Sequence, residues 1–237
     1  KKAVLVSGTS PNVSLNQFQT NYPMLVGADQ LHTAGITGQG VTIAVLDSGL
    51  WKNNWNDHYG KRLVAMVDFV GSANGTAITG DASGHGTHVT SIAASGDYNN
   101  AGQYYGVAPK ANVVVARAFQ ANGSASYLDV IKGLNWIVAN RDTYKIRVLN
   151  LSFGASPQSY YWDDPLNQAV MKAWQAGIVV VTSAGNSGPS PMTIGVPGNV
   201  PYVITLTVTD KGLIGHETDC AKSGQVTVNV TVPGTAP

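Results

Sequence analysis

The chain of 237 residues is long enough for one domain with a substantial core, and its single cysteine, Cys220, excludes an internal disulfide framework. Charged residues make up only 11% and the net charge is +1, with Lys and Arg scattered, which excludes the basic footprint of a nucleic-acid binder. No apolar run reaches the length of a membrane span.

The chain opens with KKAVLV, two lysines before an apolar run too short for the core of a signal peptide and followed by no cleavage pattern; it starts without Met and is read as processed. Residues 1–21 are expected to form an N-terminal arm or the remnant of a pro-segment. From there, β-branched runs ending in Gly, Asp or Asn alternate with helical patterns. The runs are VTIAVL (41–46), ANVVVARAF (111–119), IRVLNLS (146–152), GIVVVTSAG (177–185) and PYVITLTV (201–208), with 63–70 as a further strand. They are continuous rather than alternating, as strands buried on both faces of a parallel sheet are.

Between them, residues 86–95 form a helix of small residues. Residues 127–141 place Leu128, Ile131, Leu134 and Val138 at helical spacing behind Ser126 as N-cap. In 164–176, Asp164 suits the N-cap, Pro165 the first helical position and Gly177 the position just past the end. The alternation predicts an α/β fold, a mostly parallel central sheet covered on both faces in three layers. The tail changes character from about Lys211. QVTVNVTV (225–232) alternates strictly, as a half-exposed, antiparallel strand would.

Ligands of open α/β sheets bind beyond the carboxyl ends of the strands. That rule selects Asp47 directly after VTIAVL, Asn150 and Ser152 at the end of IRVLNL, Asn186 past IVVVTSAG, and His85 in SGHGTHV at the mouth of a helix. A buried carboxylate can orient a histidine, the histidine can take a proton from a hydroxyl, and an amide can donate to a developing oxyanion. Each residue also has a plainer role. Asp47 before Ser48-Gly49 suits a turn, His85 with His88 is half of a metal site, and Asn186 among glycines suits a left-handed turn. The three together at strand ends favour acyl transfer.

The blocks VTIAVLDSGL, SGHGTHVTSIAAS, YGVAPKANVVVARAF, VLNLSFG and GIVVVTSAGNSGP, in this order, resemble the subtilisin-like serine proteases (subtilases) from about Tyr22 to Asp210. The resemblance implies that the chain is a serine endopeptidase acting on polypeptides outside the cell. It implies that Asp47 orients the general base His85 and that Asn186 is the oxyanion donor. Ser152-Phe153-Gly154 and Ser183-Ala184-Gly185 would line the pocket for the residue before the cut. Gly123-Ser124-Ala125 would pair with extended substrate. Ser124 equally suits a turn or cap before the following helix. No cofactor is required. Asp97, Asn99 and Asn100 offer oxygen ligands for calcium in a surface loop, where ordinary turn chemistry is the expected reading.

The family's nucleophile lies after the Asn block, in Gly-Thr-Ser-x-Ala opening an Ala- and Val-rich helix, and no such motif occurs between Asn186 and Pro237. The C-terminal third is thus expected to be missing or replaced, with 22–210 an incomplete catalytic core and 211–237 an atypical tail. Ser10 is the one serine in a Gly-Thr-Ser run. It is the candidate for a relocated nucleophile, although Pro11 and Asn12 follow it in place of a buried helix. Cys220 near His216 and Glu217 is a thiol alternative, and His216, Glu217, Asp219 and Cys220 could alternatively gather a metal. Three functions follow: an incomplete serine endopeptidase, a non-catalytic peptide-binding relative, or an esterase with a relocated nucleophile. A nucleotide-binding domain is disfavoured, because no phosphate-cradling glycine motif follows the first strand. An incomplete core would also expose one flank of its sheet, so self-association is expected.

Overall fold

The structure, a computed structural model, describes residues 2–5, 22–51, 59–77, 80–188, 190–208 and 226–230. Ser10, the loop from His216 to Cys220 and Ser223 lie outside them.

Numbered along the chain, the central sheet contains β2 (Thr42–Asp47), β3 (Leu63–Asp68), β4 (Thr76–Ala77), β5 (Asn112–Arg117), β7 (Ile146–Leu151), β9 (Val179–Ser183), β10 (Ile204–Val208) and β11 (Val226–Val230). Its eight strands run in the order β11-β10-β9-β7-β2-β5-β3-β4. The inner strands from β10 to β3 are all parallel, and β4 and β11 close the two ends antiparallel. A second, three-stranded sheet has β1 (Lys2–Leu5) between β6 (Ser124–Ser126) and β8 (Phe153–Gly154). The run KAVL, which was not among the predicted strands, is thus the central strand of this sheet.

Five helices complete the described fold: α1 (Tyr22–Leu25), α2 (Ala28–Thr33), α3 (His85–Ala94), α4 (Tyr127–Ala139) and α5 (Pro165–Gln175). Their ends follow the local chemistry. Ser126 Oγ accepts from the Asp129 N–H at 3.1 Å to start α4. Asp164 Oδ1 accepts from the N–H groups of Leu166 and Asn167 to start α5, with Pro165 at the first turn. Beyond α5, the Gly177 N–H returns to the Trp174 carbonyl at 2.8 Å.

The alternation of β5 assigns the layers. Val114 and Ala116 face a large core with Leu134 and Ile137 of α4 and Leu166 and Val170 of α5. Val113 and Val115 face the opposite side with Leu50, Ala93 and Ala94 of the α3 region. The three-layer α/β sandwich expected from the sequence is therefore present.

Two expectations need correction. The buried stripe of α4 is Tyr127, Val130, Leu134 and Ile137, whereas Leu128 is 61% exposed. Both stripes repeat at helical spacing, and packing of α4 on β2 and α5 decides between them. The outer strands are also not buried on both faces. Val179 and Leu206 are 48% and 39% exposed, because no described helix covers β9 and β10 on the α3 side.

Candidate active site

The path of the chain makes β2 the switch point of the sheet. After β2 the chain moves to one side, to β3 and β5, and then crosses to β7, β9 and β10 on the other. The connection leaving β2 heads toward β3 while the one leaving β7 heads the other way toward β9, which opens a crevice between the carboxyl ends of these two neighbouring strands. Asp47 is the last residue of β2 and its side chain is fully buried.

Its partner is His85. Nδ1 of His85 lies 2.8 Å and 3.0 Å from the two Asp47 carboxylate oxygens. A carboxylate only accepts, so Nδ1 carries the proton and Nε2 is left as the basic nitrogen. Burial pushes the Asp47 carboxyl up from its ordinary value of 3.8, while the bonds from His85 and from the Ser48 N–H oppose that rise. His85 is the first residue of α3, after Gly84 in a left-handed conformation at φ 82°. Gly86 brings the helix onto the strand. A Cβ there would lie 2.5 Å from the Gly49 carbonyl oxygen and 3.2 Å from Asp47 Cβ. The glycines of SGHGTHV thus set the distance between base and carboxylate.

A second acidic residue, Asp81, was not foreseen as part of the site. It is buried, and its carboxylate accepts five hydrogen bonds, from Ser48 Oγ, Thr87 Oγ1 and the N–H groups of Ser83, Gly84 and Thr87. Ser48 Oγ in turn accepts from the Gly86 N–H at 2.9 Å. Burial pushes Asp81 up, but its bonds from Thr87, Ser48 and Gly84 outweigh that and hold it below its ordinary value. Asp81 ties the residue after Asp47 to the residues around His85. The sequence signal was an acid four residues before the histidine at a helix N-terminus.

The binding walls come next. β6 and β8 follow β5 and β7, the two neighbours of β2, so the small sheet lies across the carboxyl end of β2. β1 runs antiparallel to both strands, with Lys2, Ala3 and Val4 opposite Ser126, Ala125 and Ser124, and Val4 and Leu5 opposite Gly154 and Phe153. Ser124 and Ala125 thus pair with an extended strand of the chain itself. Gly123 forms the preceding turn at φ 73°, donating to the Gln120 carbonyl, and Ser124 Oγ donates to Asn122 in that turn.

Beside β1 lies a recess of about 440 Å³ lined by residues including Lys2, Gly154, Ala155, Gly185, Asn186 and Gly195. Phe153 contributes backbone to β8, and its ring is fully buried 5.0 Å from that of Phe119. Ser183 stands behind the wall, donating to the Phe153 carbonyl at 3.0 Å, and Ser152 Oγ accepts from Asn150. Ala184 is pinned by bonds to Leu206 and Gly195. Of the two expected wall segments, Gly154 and Gly185 reach the recess, joined by Asn186, and their neighbours brace it.

In the loop holding Asp97 and Asn100, the Asn99 side chain accepts from the Ala101 and Gln103 N–H groups, closing a turn bridged by Tyr98 and Tyr104. His88 is exposed while His85 is committed to Asp47, and the described residues hold no group of three metal-ligating side chains.

A model of the subtilase family matches residues 38–235. Serine protease AprX of Bacillus subtilis strain 168 is 38% identical over 180 residues, covering 74% of this chain and 39% of that protein. Subtilisin DY of Bacillus licheniformis is 33% identical over 188 residues, covering 78% of this chain and 62% of that protein. The chain therefore spans between about two-fifths and three-fifths of the length of these two relatives. A crystal structure of a cold-adapted subtilisin-like serine proteinase is similar with a TM-score of 0.56 at 32% identity, over 72% of this chain and 55% of that one.

Proposed function

The chain belongs to the subtilase family, and from that premise we propose that it forms the Asp–His and substrate-binding body of an extracellular serine endopeptidase. The observation that carries this reading is β1: an extended segment of the chain itself lies antiparallel between β6 and β8, across the end of the strand that holds the Asp47–His85 pair. A sheet that accepts an extended strand through its backbone accepts polypeptide with little regard for side chains. The charge-poor composition, rich in Gly, supports a place outside the cell.

In the proposed reaction the substrate takes the place of β1. A serine hydroxyl attacks the scissile carbonyl and gives its proton to Nε2 of His85, while Asp47 stabilises the charged ring. The Asn186 amide donates to the oxyanion. His85 then returns the proton to the departing amine, and water releases the acyl group through the same steps.

The serine is the part that the described residues do not supply. The α3-side face of β7, β9 and β10 continues from the Asp47 side of β2, as the register Val148–Val179 and Val181–Ile204 requires. That face suits an Ala- and Val-rich helix of the kind that carries the family's nucleophile. A second reading, a peptide-binding relative without hydrolysis, is favoured by the strand-accepting sheet, which needs no nucleophile to hold an extended segment.

Reaction with a fluorophosphonate probe, followed by mass mapping, separates the two. A labelled serine in the wild type, absent in His85→Ala, supports the endopeptidase. A label on Ser10 would identify a relocated nucleophile. No label, with saturable binding of an extended peptide, overturns the hydrolytic reading in favour of the binding one.

A further inference from the structure

The loop after β8 leads away from the recess into QSYYWDD (158–164), which carries three consecutive aromatic residues. Tyr160 and Trp162 are 69% and 51% exposed. Their rings stack at 4.7 Å and 5° between planes, and Tyr161 meets Trp162 edge-on at 4.9 Å. On the far part of α5, Trp174 stacks on Tyr202 at 4.9 Å. Between the two groups lies a recess of about 330 Å³ lined by Tyr161, Trp162, Met171, Trp174, Gln175 and Tyr202. That volume falls at the small end of the roughly 300–1,000 Å³ range of small-molecule sites.

The lining specifies a chemistry. Two indoles are held by neighbouring rings before any ligand arrives, so little side-chain freedom is lost on binding. Among the described residues no Lys, Arg, Asp or Glu lines the recess, and Asp163 and Lys172, exposed beside Trp162 and Met171 in sequence, are not part of its lining, so a charged ligand would find no counter-charge within it. Asp164, the nearest acid to α5, is buried as its cap. The lining is not simply apolar either. Tyr161 and Tyr202 each bring a hydroxyl to the lining, and the exposed Gln175 adds an amide with both donor and acceptor. Flat aromatic faces beside neutral donors and acceptors match a ligand that has apolar C–H faces and a rim of hydroxyls.

We propose that this recess binds a neutral carbohydrate, with pyranose rings stacked on Trp162 and Trp174 and their hydroxyls met by Gln175 and the tyrosine pair. The site is separate from the Asp47–His85 pair and does not depend on the nucleophile. It shares a loop with the substrate recess, to which Ser156 and Pro157 belong, so a bound glycan would be held next to the peptide cleft.

Calorimetric titration of the full chain with chitotriose and with cellotriose tests the proposal, with hexanol as an apolar probe. Saturable binding of at least one sugar is expected. Trp162→Ala and Trp174→Ala should each weaken it about tenfold, the effect of one lost stacking contact. Trp162→Phe should recover part of the loss. Gln175→Ala, at an exposed position, should weaken sugar binding and leave hexanol unaffected, while Asp47→Asn should change neither. Binding of hexanol but of neither sugar makes the recess an apolar docking site and overturns the proposal. Sugar binding that survives unchanged in both tryptophan variants and in Gln175→Ala overturns it as well.

Discussion

Asp47 and Asp81 sit within one network and are driven in opposite directions. Asp81 is held below 3.8 in the folded chain by its hydrogen bonds. Its stabilising effect is therefore fully present above that ordinary value and is lost as pH falls through the lowered one. Asp47 is raised by burial, so its contribution is present below 3.8 and fades as pH rises through the folded value. In Asp81→Asn, an amide N–H₂ replaces an acceptor that faces backbone N–H groups, which should cost about 2–4 kcal/mol at neutral pH. Thermal melts from pH 7 to pH 2 should show the variant less stable at pH 7 and less steeply destabilised by acid than the wild type. An Asp47→Asn chain should be destabilised by acid more steeply than the wild type, because it loses the contribution that grows as pH falls. Equal slopes in the wild type and Asp81→Asn would remove Asp81 from the network's electrostatics. In NMR titrations the His85 ring should protonate at lower pH in Asp47→Asn, because the neighbouring negative charge is gone.

At the scale of elements, β1 and α4 lead to different experiments. On the proposed reading β1 sits where substrate would, so apparent peptide affinity is reduced by the fraction of chains with β1 seated. Ala3 is fully buried there. Ala3→Glu should expel the strand and tighten binding of an extended peptide by about tenfold, as expected when roughly 1.4 kcal/mol of competition is removed. Fluorescence anisotropy of a labelled peptide would show it, and unchanged affinity would mean that β1 and substrate do not compete. For α4, Ile137→Ala should destabilise by about 2–5 kcal/mol through the cavity it leaves, while Leu128→Ala should stay within about 0.5 kcal/mol. Urea unfolding of the two variants would reveal which stripe is buried.

For the whole molecule, the α3-side face of β9 and β10 matters most. Val179 and Leu206 are exposed on it, and Val181 and Ile204 are half-buried. Such a face favours association between copies. Sedimentation at rising concentration should show oligomers, and Val179→Lys with Leu206→Lys should shift the chain toward monomer. A wild type that sediments as a monomer throughout would mean the face is covered in solution.

Much of this was determined by the sequence alone. The β-branched runs, the caps Ser126 and Asp164, and the order of Asp47, His85 and Asn186 past strand ends were legible because they rest on local rules: burial on both faces, satisfied helix ends and ligands at carboxyl ends. Tertiary structure decided what depends on residues far apart in sequence. It selected between two apolar stripes of α4, because only contact with α5 and β2 buries one of them. It buried Phe153 behind the wall it was expected to line. It recruited Asp81, whose meaning lies in donors from Ser48 and the start of α3. It also turned KAVL, a run not among the predicted strands, into the strand seated between β6 and β8, because a strand's identity there comes from the backbone hydrogen bonds its neighbours offer.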